Sequence, residues 1–280
     1  MKLIIHGGFF SESSTSLETK IAKQEALKRI LLNSYDYLEN HSAFETVIYA
    51  VEQLEDDLLF NAGIGSQIQS DGKIRMSASV MDGSTKKFSG VINIENVKNP
   101  IRVAERLMSY DDRVLGGEGA IKFARENNFA EFNPEIPQRR LEFEEKLKSL
   151  GTGTVGCVAL DKTGKIAAAT STGGKGFEMP GRISDSATTA GNYANEFCGI
   201  SCTGVGEDIV SGAVATKIGV RIADGFEIGA AVEKTFHELS EFDGFAGAIV
   251  LDAKGNFYHK DSHPSMVFAS FDGDRFEFFR

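Results

Sequence analysis

Residues 151–160 read Gly151-Thr152-Gly153-Thr154-Val155-Gly156-Cys157-Val158-Ala159-Leu160, and they stand where the texture of the chain changes. Upstream, residues 131–150 (EFNPEIPQRRLEFEEKLKSL) hold two of the five prolines, no glycine and densely mixed charge. Such a composition suits a flexible, solvated linker over about 131–150, and equally a surface helix with a proline-rich lead-in. Downstream, 154–160 and 165–171 are β-branched or alanine-rich runs joined by Asp161-Lys162-Thr163-Gly164, which predicts a hairpin. Thr154 therefore opens a hydrophobic strand directly after a charged segment.

Working toward the N-terminus, the helical spacing of Ala22, Ala26, Leu27, Ile30 and Leu31 predicts a helix over about 16–37, and a second is predicted over about 43–54. A glycine-broken loop, Phe60 to Ser66, leads to short strands at about 74–81 and 90–95, and Pro100 suits the first turn of a further helix. Toward the C-terminus, Ile200-Ser201-Cys202 reads as a strand running through Thr203-Gly204-Val205-Gly206 into a helix containing Ile209, Ala213, Val214 and Ile218. Strand texture returns at 246–251, 256–259 and 267–270. Strands and helices in both halves imply layered α and β elements. No fixed repeat is evident.

Bulk properties narrow the function. Length alone, at 280 residues, leaves one or two domains open. A net charge of -10 argues against non-specific attraction to a polyanion such as nucleic acid, which needs clustered Lys and Arg. The opening MKLIIHGGFF reads as a first strand and not a signal peptide, and no run approaches the roughly 18 apolar residues of a membrane span. Cys157, Cys198 and Cys202 lack paired metal-site spacing, so a reducing cytoplasm is the expected compartment. Thirty glycines mark many tight turns or close backbone approaches.

Among candidate chemistries, the five histidines His6, His41, His237, His259 and His263 lie in no G-x-S-x-G or H-E-x-x-H context. Gly204-Val205-Gly206 lacks the third glycine of a dinucleotide fingerprint, although clustered glycine amides can still form an oxyanion hole. Arg182 and Asp185 match the carboxylate and ammonium ends of an α-amino acid, or else form a surface ion pair. Thr154 can act as a nucleophile without histidine if it becomes a chain N-terminus, because its own α-amine, with a pKa of about 8, can serve as base. Gly153 before it would tolerate the strain of attack on its carbonyl. A threonine that merely opens a strand is the plain alternative.

The ordered set HGG at His6, LEDDLLFNAGIGS from Leu54, SASVMDG from Ser77, GTVG at Gly153, AAATSTGGKGFEMPGRISDS from Ala167 and SCTGVGE from Ser201 resembles the plant-type L-asparaginase and isoaspartyl peptidase family of N-terminal-nucleophile hydrolases. The resemblance covers nearly the whole chain. It implies a single α/β (α+β) domain over 1–280, a four-layer αββα sandwich, cut between Gly153 and Thr154 into an α subunit, 1–153, and a β subunit, 154–280. By the same resemblance Thr154 is the nucleophile and Thr172 orients it. The Thr203 hydroxyl and Gly204 amide form the oxyanion hole. Arg182 holds the substrate α-carboxylate, Asp185 and the Gly206 carbonyl hold the α-amine, and Asn61 lies close to the nucleophile.

No catalytic cofactor is implied. A structural sodium ion is, held by backbone carbonyls of Leu54, Glu55, Asp57, Phe60, Ala62 and Ile64. The implied reaction is hydrolysis of β-aspartyl dipeptides and of L-asparagine by a cytoplasmic homodimer of αβ units, with no nucleic-acid or membrane partner. Residues 175–178 (Lys-Gly-Phe-Glu) and Ser184 depart from the common GGMTNK and VGD patterns, and 188–192 from I-x-G-A-G, which puts substrate preference in doubt. A glycosylasparaginase-like amidase and a non-cleaving amino-acid or partner binder are the competing readings. The second has no use for a nucleophile together with oxyanion groups.

Overall fold

The computed structural model describes residues 1–9, 17–145, 153–263 and 265–279. Its long helices follow from apolar stripes at helical spacing. In α1 (Leu17–Leu38) Ala26, Leu27, Ile30, Leu31, Ser34 and Leu38 are buried. Helix α2 (Ala43–Glu55) buries Val47, Ile48, Val51 and Leu54 and starts at a capping box between Ser42 and Glu45, which satisfies amides the helix leaves open.

Strands β1 (Lys2–Phe9), β2 (Met76–Asp82), β3 (Lys87–Ile94), β4 (Val114–Gly116), β5 (Thr154–Leu160), β6 (Ile166–Thr172), β11 (Met266–Phe271) and β12 (Phe276–Phe278) form one sheet in the order β12-β11-β1-β5-β6-β2-β3-β4. Its pairs are antiparallel except β3 with β4. A second sheet runs β10 (Phe257–Asp261), β9 (Ala246–Asp252), β8 (Cys198–Gly204), β7 (Asn192–Ala194).

Three apolar clusters define four layers. Leu3 and Ile5 of β1, Val155, Cys157 and Ala159 of β5, and Ala167 and Ala169 of β6 pack with α1, α2, α3 (Pro100–Leu107) and α4 (Gly117–Glu126). Cys198, Ile200 and Cys202 of β8 pack with α7 (Val214–Ala223) and α8 (Ile228–Ser240). Between the sheets lie Ile4, Val158, Leu160, Ile166, Ala168, Ile249 and Leu251. The order is helix, sheet, sheet, helix, the four-layer αββα arrangement expected.

Because side chains alternate along a strand, these clusters also fix where the polar positions point. The even-numbered residues of β1, β5 and β6 and the odd-numbered residues of β8 face the gap between sheets. His6, Thr154, Thr170, Thr172, Ser201 and Thr203 all fall on that side.

Several elements differ from the sequence reading. The helix after Thr203 is two pieces, α6 (Gly206–Gly212) and α7, broken at Ala213, which takes a left-handed conformation with φ 48°. Within the stretch read as a linker, Pro137–Glu144 forms helix α5 with proline in its first turn. Arg139 Nε donates to Gly65 O at 2.9 Å, and Phe143 stacks on Phe177 with ring centroids 5.1 Å apart. Of the two readings of 131–150, the surface helix with a proline-rich lead-in is the one seen at Pro137–Glu144, and 146–150 lies outside the described residues. No described helix is long and apolar enough to cross a membrane.

Candidate active site

The strand register places Thr154, the first residue of β5, directly beside Thr172, the last of β6. Thr154 Oγ1 donates to Thr172 Oγ1 at 3.2 Å, and Thr172 Oγ1 also accepts from the Gly174 amide at 3.2 Å. Both threonines are buried.

Asn61 closes this corner. Its Nδ2 donates to Gly174 O at 2.5 Å, its Oδ1 accepts from the Gln67 amide at 3.0 Å, and its carbonyl accepts from the Gly173 amide at 2.9 Å. Gly153 rests against it: a Cβ at 153 would stand 2.7 Å from Asn61 Cβ. Glycine is thus required before Thr154 by close packing.

Two residues inward, the sheets are tied together by hydroxyls. Ser201 Oγ of β8 lies 2.7 Å from Thr170 Oγ1 of β6 and 2.9 Å from His6 Nε2 of β1. Thr203 lies two residues beyond Ser201 on β8 and Thr172 two beyond Thr170 on β6, so strand alternation keeps both on the side facing the gap between the sheets. Thr203 Oγ1 is buried and has no hydrogen-bond partner among the described residues. Such a hydroxyl is costly unless something else uses it. Gly204 takes φ +138°, where a Cβ would meet Phe245 O at 2.6 Å, so the turn after Thr203 demands glycine.

Sequence context sets His6 aside as a general base, yet the structure brings it behind the nucleophile. Burial pushes its imidazole down to about 3, against the opposing influence of the Thr154 backbone. It is neutral at physiological pH and serves as a hydrogen-bonding prop.

Val205 and Gly206 lead from Thr203 to a second cluster. A Cβ on Gly206 would lie 2.8 Å from Ser184 Oγ, 2.9 Å from Arg182 Nη2 and 3.0 Å from Asp185 Oδ1, so these groups converge on one glycine. Arg182 forms a bidentate pair with Glu207, Nε to Oε1 at 2.8 Å and Nη2 to Oε2 at 2.7 Å. That guanidinium holds the Glu207 carboxyl down at about 2. Burial raises Asp185 to about 6, against a hydrogen bond from Ser184 Oγ to its Oδ1 at 2.7 Å and the charge of Arg182. Its Oδ2 is buried without a partner among the described residues. The sequence reading does not pair Glu207 or Ser184 with these two residues. The acidic residue after Gly206 and the hydroxyl in place of the usual VGD glycine are the signals that could have found them.

The comparisons bear on this arrangement as a whole. A family model described as asparaginase matches residues 1–278. The chain belongs to the asparaginase family. It is a hydrolase of that kind, and its similarity to characterised members extends over nearly its full length. It is 42% identical to an isoaspartyl peptidase/L-asparaginase of Synechocystis, over 96% of this chain and 87% of the relative. Identity to a plant-type L-asparaginase of Pyrococcus furiosus is 37%, over 95% of each chain. An isoaspartyl peptidase of Escherichia coli is 35% identical, over 91% of this chain and 87% of the relative.

The loop that the family resemblance links to sodium leaves α2 at Leu54 and Glu55. At Gly63 and Gly65 the backbone folds so tightly on itself that an added Cβ would sit 2.3 Å from Glu55 O and 1.9 Å from Phe60 O. Burial lifts the Glu55 carboxyl to about 8, although its Oε1 accepts from Ser171 Oγ at 2.7 Å and the Ile101 amide at 3.1 Å. Glu55 Oε2 has no partner among the described residues. Among the described residues, no group of three His, Cys, Asp or Glu side chains could hold a metal ion.

Proposed function

We propose that this chain is an autoproteolytically activated threonine amidohydrolase that cleaves β-aspartyl dipeptides and converts L-asparagine to L-aspartate and ammonia. The observation that carries the reading is the meeting of Thr154 with Thr172 at one end of the gap between the sheets, with Thr203 facing that gap and Arg182 and Asp185 converging nearby.

In this mechanism the Thr154 hydroxyl first attacks the Gly153 carbonyl, the Gly153–Thr154 C–N bond breaks to leave an ester on Oγ1 and a free Thr154 α-amine, and water then hydrolyses the ester, releasing the Gly153 carboxylate and restoring the hydroxyl. The products are the subunits 1–153 and 154–280 of one domain. The amine then accepts the hydroxyl proton as Thr154 Oγ1 attacks the substrate's side-chain carbonyl. Thr172, already bonded to Thr154, keeps the nucleophile oriented. Thr203 Oγ1 and the Gly204 amide take the developing oxyanion, Thr203 having no other commitment among the described residues. Collapse releases the amine or ammonia, and water attacks the acyl-enzyme to give aspartate.

Arg182 receives the α-carboxylate through the part of its guanidinium that Glu207 leaves open. Asp185 Oδ2 and the Gly206 carbonyl receive the α-ammonium. Backbone carbonyls of Leu54, Glu55, Asp57, Phe60, Ala62 and Ile64 would hold a sodium ion that stiffens the loop carrying Asn61. A homodimer of αβ units in the cytoplasm completes the reading.

The test is a comparison of β-aspartyl-leucine, its α-linked isomer and asparagine. Hydrolysis of the first and third without the second is expected. Equal cleavage of the α- and β-linked isomers would refute a site built to hold both ends of the aspartyl group.

A further inference from the structure

Glu178 has no part in that mechanism, yet it belongs to the same space. It lies in the stretch 175–178, which departs from the common GGMTNK pattern, and stands where that pattern has lysine. Only 5% of it is exposed, and neither carboxylate oxygen has a hydrogen-bond partner among the described residues. The cations of its own loop are engaged by Glu207, Arg182 through the bidentate pair and Lys175 Nζ at 3.5 Å.

The side chain folds back onto Gly174, where a Cβ would stand 2.0 Å from Glu178 Oε1. Gly174 is anchored at the nucleophile, its amide on Thr172 and its carbonyl on Asn61. On its other side, the Glu178 charge acts on Arg182. The carboxylate thus flanks the nucleophile end of the site.

Buried side chains around this space that keep oxygens without partners among the described residues include Thr203 Oγ1, Asp185 Oδ2 and both oxygens of Glu178, together with the neutral Ser66 hydroxyl against Gly173. The first two have assigned uses, as oxyanion donor and ammonium acceptor. A buried carboxylate keeps its charge at least cost beside compensating positive charge. The aspartyl half of the substrate carries one carboxylate and one ammonium, and Arg182 and Asp185 already meet them. Its amide nitrogen is consumed in the scissile bond. Beyond Arg182, whose bidentate bonds go to Glu207, the remaining source of positive charge is the amino acid that leaves. Thr154, Asp185 and Thr203 are buried to a similar degree.

We infer that Glu178 is a specificity residue that receives a cationic side chain, lysyl or arginyl, on the amino acid released from a β-aspartyl dipeptide, at the Gly174 wall beside Thr172. No bond to Glu178 forms or breaks. The inference rests on the isoaspartyl reading of the site.

The experiment measures kcat/KM of the processed enzyme on β-aspartyl-lysine, β-aspartyl-(Nε-acetyl)lysine and β-aspartyl-norleucine, for the wild type and Glu178→Gln. The wild type is expected to favour the lysine dipeptide over both neutral ones by about tenfold or more. Glu178→Gln should bring the ratio close to one. Equal wild-type rates, or a preference that survives Glu178→Gln, overturn the assignment. If Glu178→Gln does not accumulate, the comparison of lysine with its acetylated form in the wild type decides alone. Cleavage of no β-aspartyl dipeptide at all would instead sink the underlying reading of the site.

Discussion

Replacing Asp185 by asparagine separates what this carboxylate costs the fold from what it contributes to binding. In the folded chain burial lifts its pKa from 3.8 to about 6, despite the Ser184 hydroxyl and the Arg182 charge. At roughly 1.4 kcal/mol per pH unit, the charge costs the fold roughly 3 kcal/mol once it is ionised in both states. Because the folded value is the higher one, the penalty is absent below about pH 4 and complete above about pH 6. The asparagine side chain would keep an oxygen for Ser184 but turn the partnerless Oδ2 into a partnerless N–H, returning about 1–2 kcal/mol of the gain. The net expectation is a stabilisation of about 1–2 kcal/mol at pH 8 that reverses to a destabilisation of about 1–2 kcal/mol near pH 4.

Urea unfolding of Asp185→Asn in a Thr154→Ala background, where a single chain unfolds, measures this at pH 8 and pH 4.5. In the processed enzyme the same change should lower kcat/KM about 100-fold or more through loss of the ammonium partner. The acid limb of the wild-type profile should fall near pH 6. A variant less stable than its parent at pH 8, or one whose advantage is the same at both pH values, would refute the reasoning.

Other outcomes follow from the same geometry. Thr203→Val should reduce kcat by about 10²–10³-fold with KM little changed, read by steady-state kinetics on β-aspartyl-leucine; a tenfold rise in KM at constant kcat would remove Thr203 from the oxyanion hole. Gly156→Ala places a Cβ 1.9 Å from Ser201 Oγ and 2.5 Å from His6 Nε2, so it should destabilise the chain by roughly 2 kcal/mol or more and spoil the alignment of the sheets. Its urea midpoint in the Thr154→Ala background checks this, and an unchanged midpoint would mean that the Ser201 link does not tie the sheets together.

Much of the architecture is legible where a single period dominates. Thr154–Leu160 is apolar almost without interruption because both faces of β5 are buried, one against α2 and the other against the second sheet. Helix α8 lies in a stretch to which the sequence analysis assigns no element, although Ile228, Ala231, Val232, Thr235, Phe236 and Leu239 recur at helical spacing and are buried. The break at Ala213 has no local signal, since alanine favours helix and only the packing around it accounts for a left-handed residue there. The short strands β4, β7 and β12 are three residues each and depend on their sheet neighbours for existence.

The site divides in the same way. Thr154, Thr172, Thr203, Arg182 and Asp185 sit in motifs a reader can find. The Ser201 bridge to Thr170 and His6 is not readable, because it joins residues 31 and 195 positions apart in sequence. Nor is the commitment of Arg182 to Glu207, or the partnerless state of Glu178 among the described residues, since neither can be inferred without knowing how the loop after Gly174 folds back.

The central claim is that Thr154 becomes a chain N-terminus by cutting its own preceding bond. Intact-mass measurement of the purified protein over time tests it most directly. The wild type should resolve into two fragments meeting between Gly153 and Thr154, while Thr154→Ala stays at 30.4 kDa and inactive. A wild-type chain that hydrolyses β-aspartyl substrates while remaining whole, or a Thr154→Ala chain that is still cut at that bond, would contradict the account.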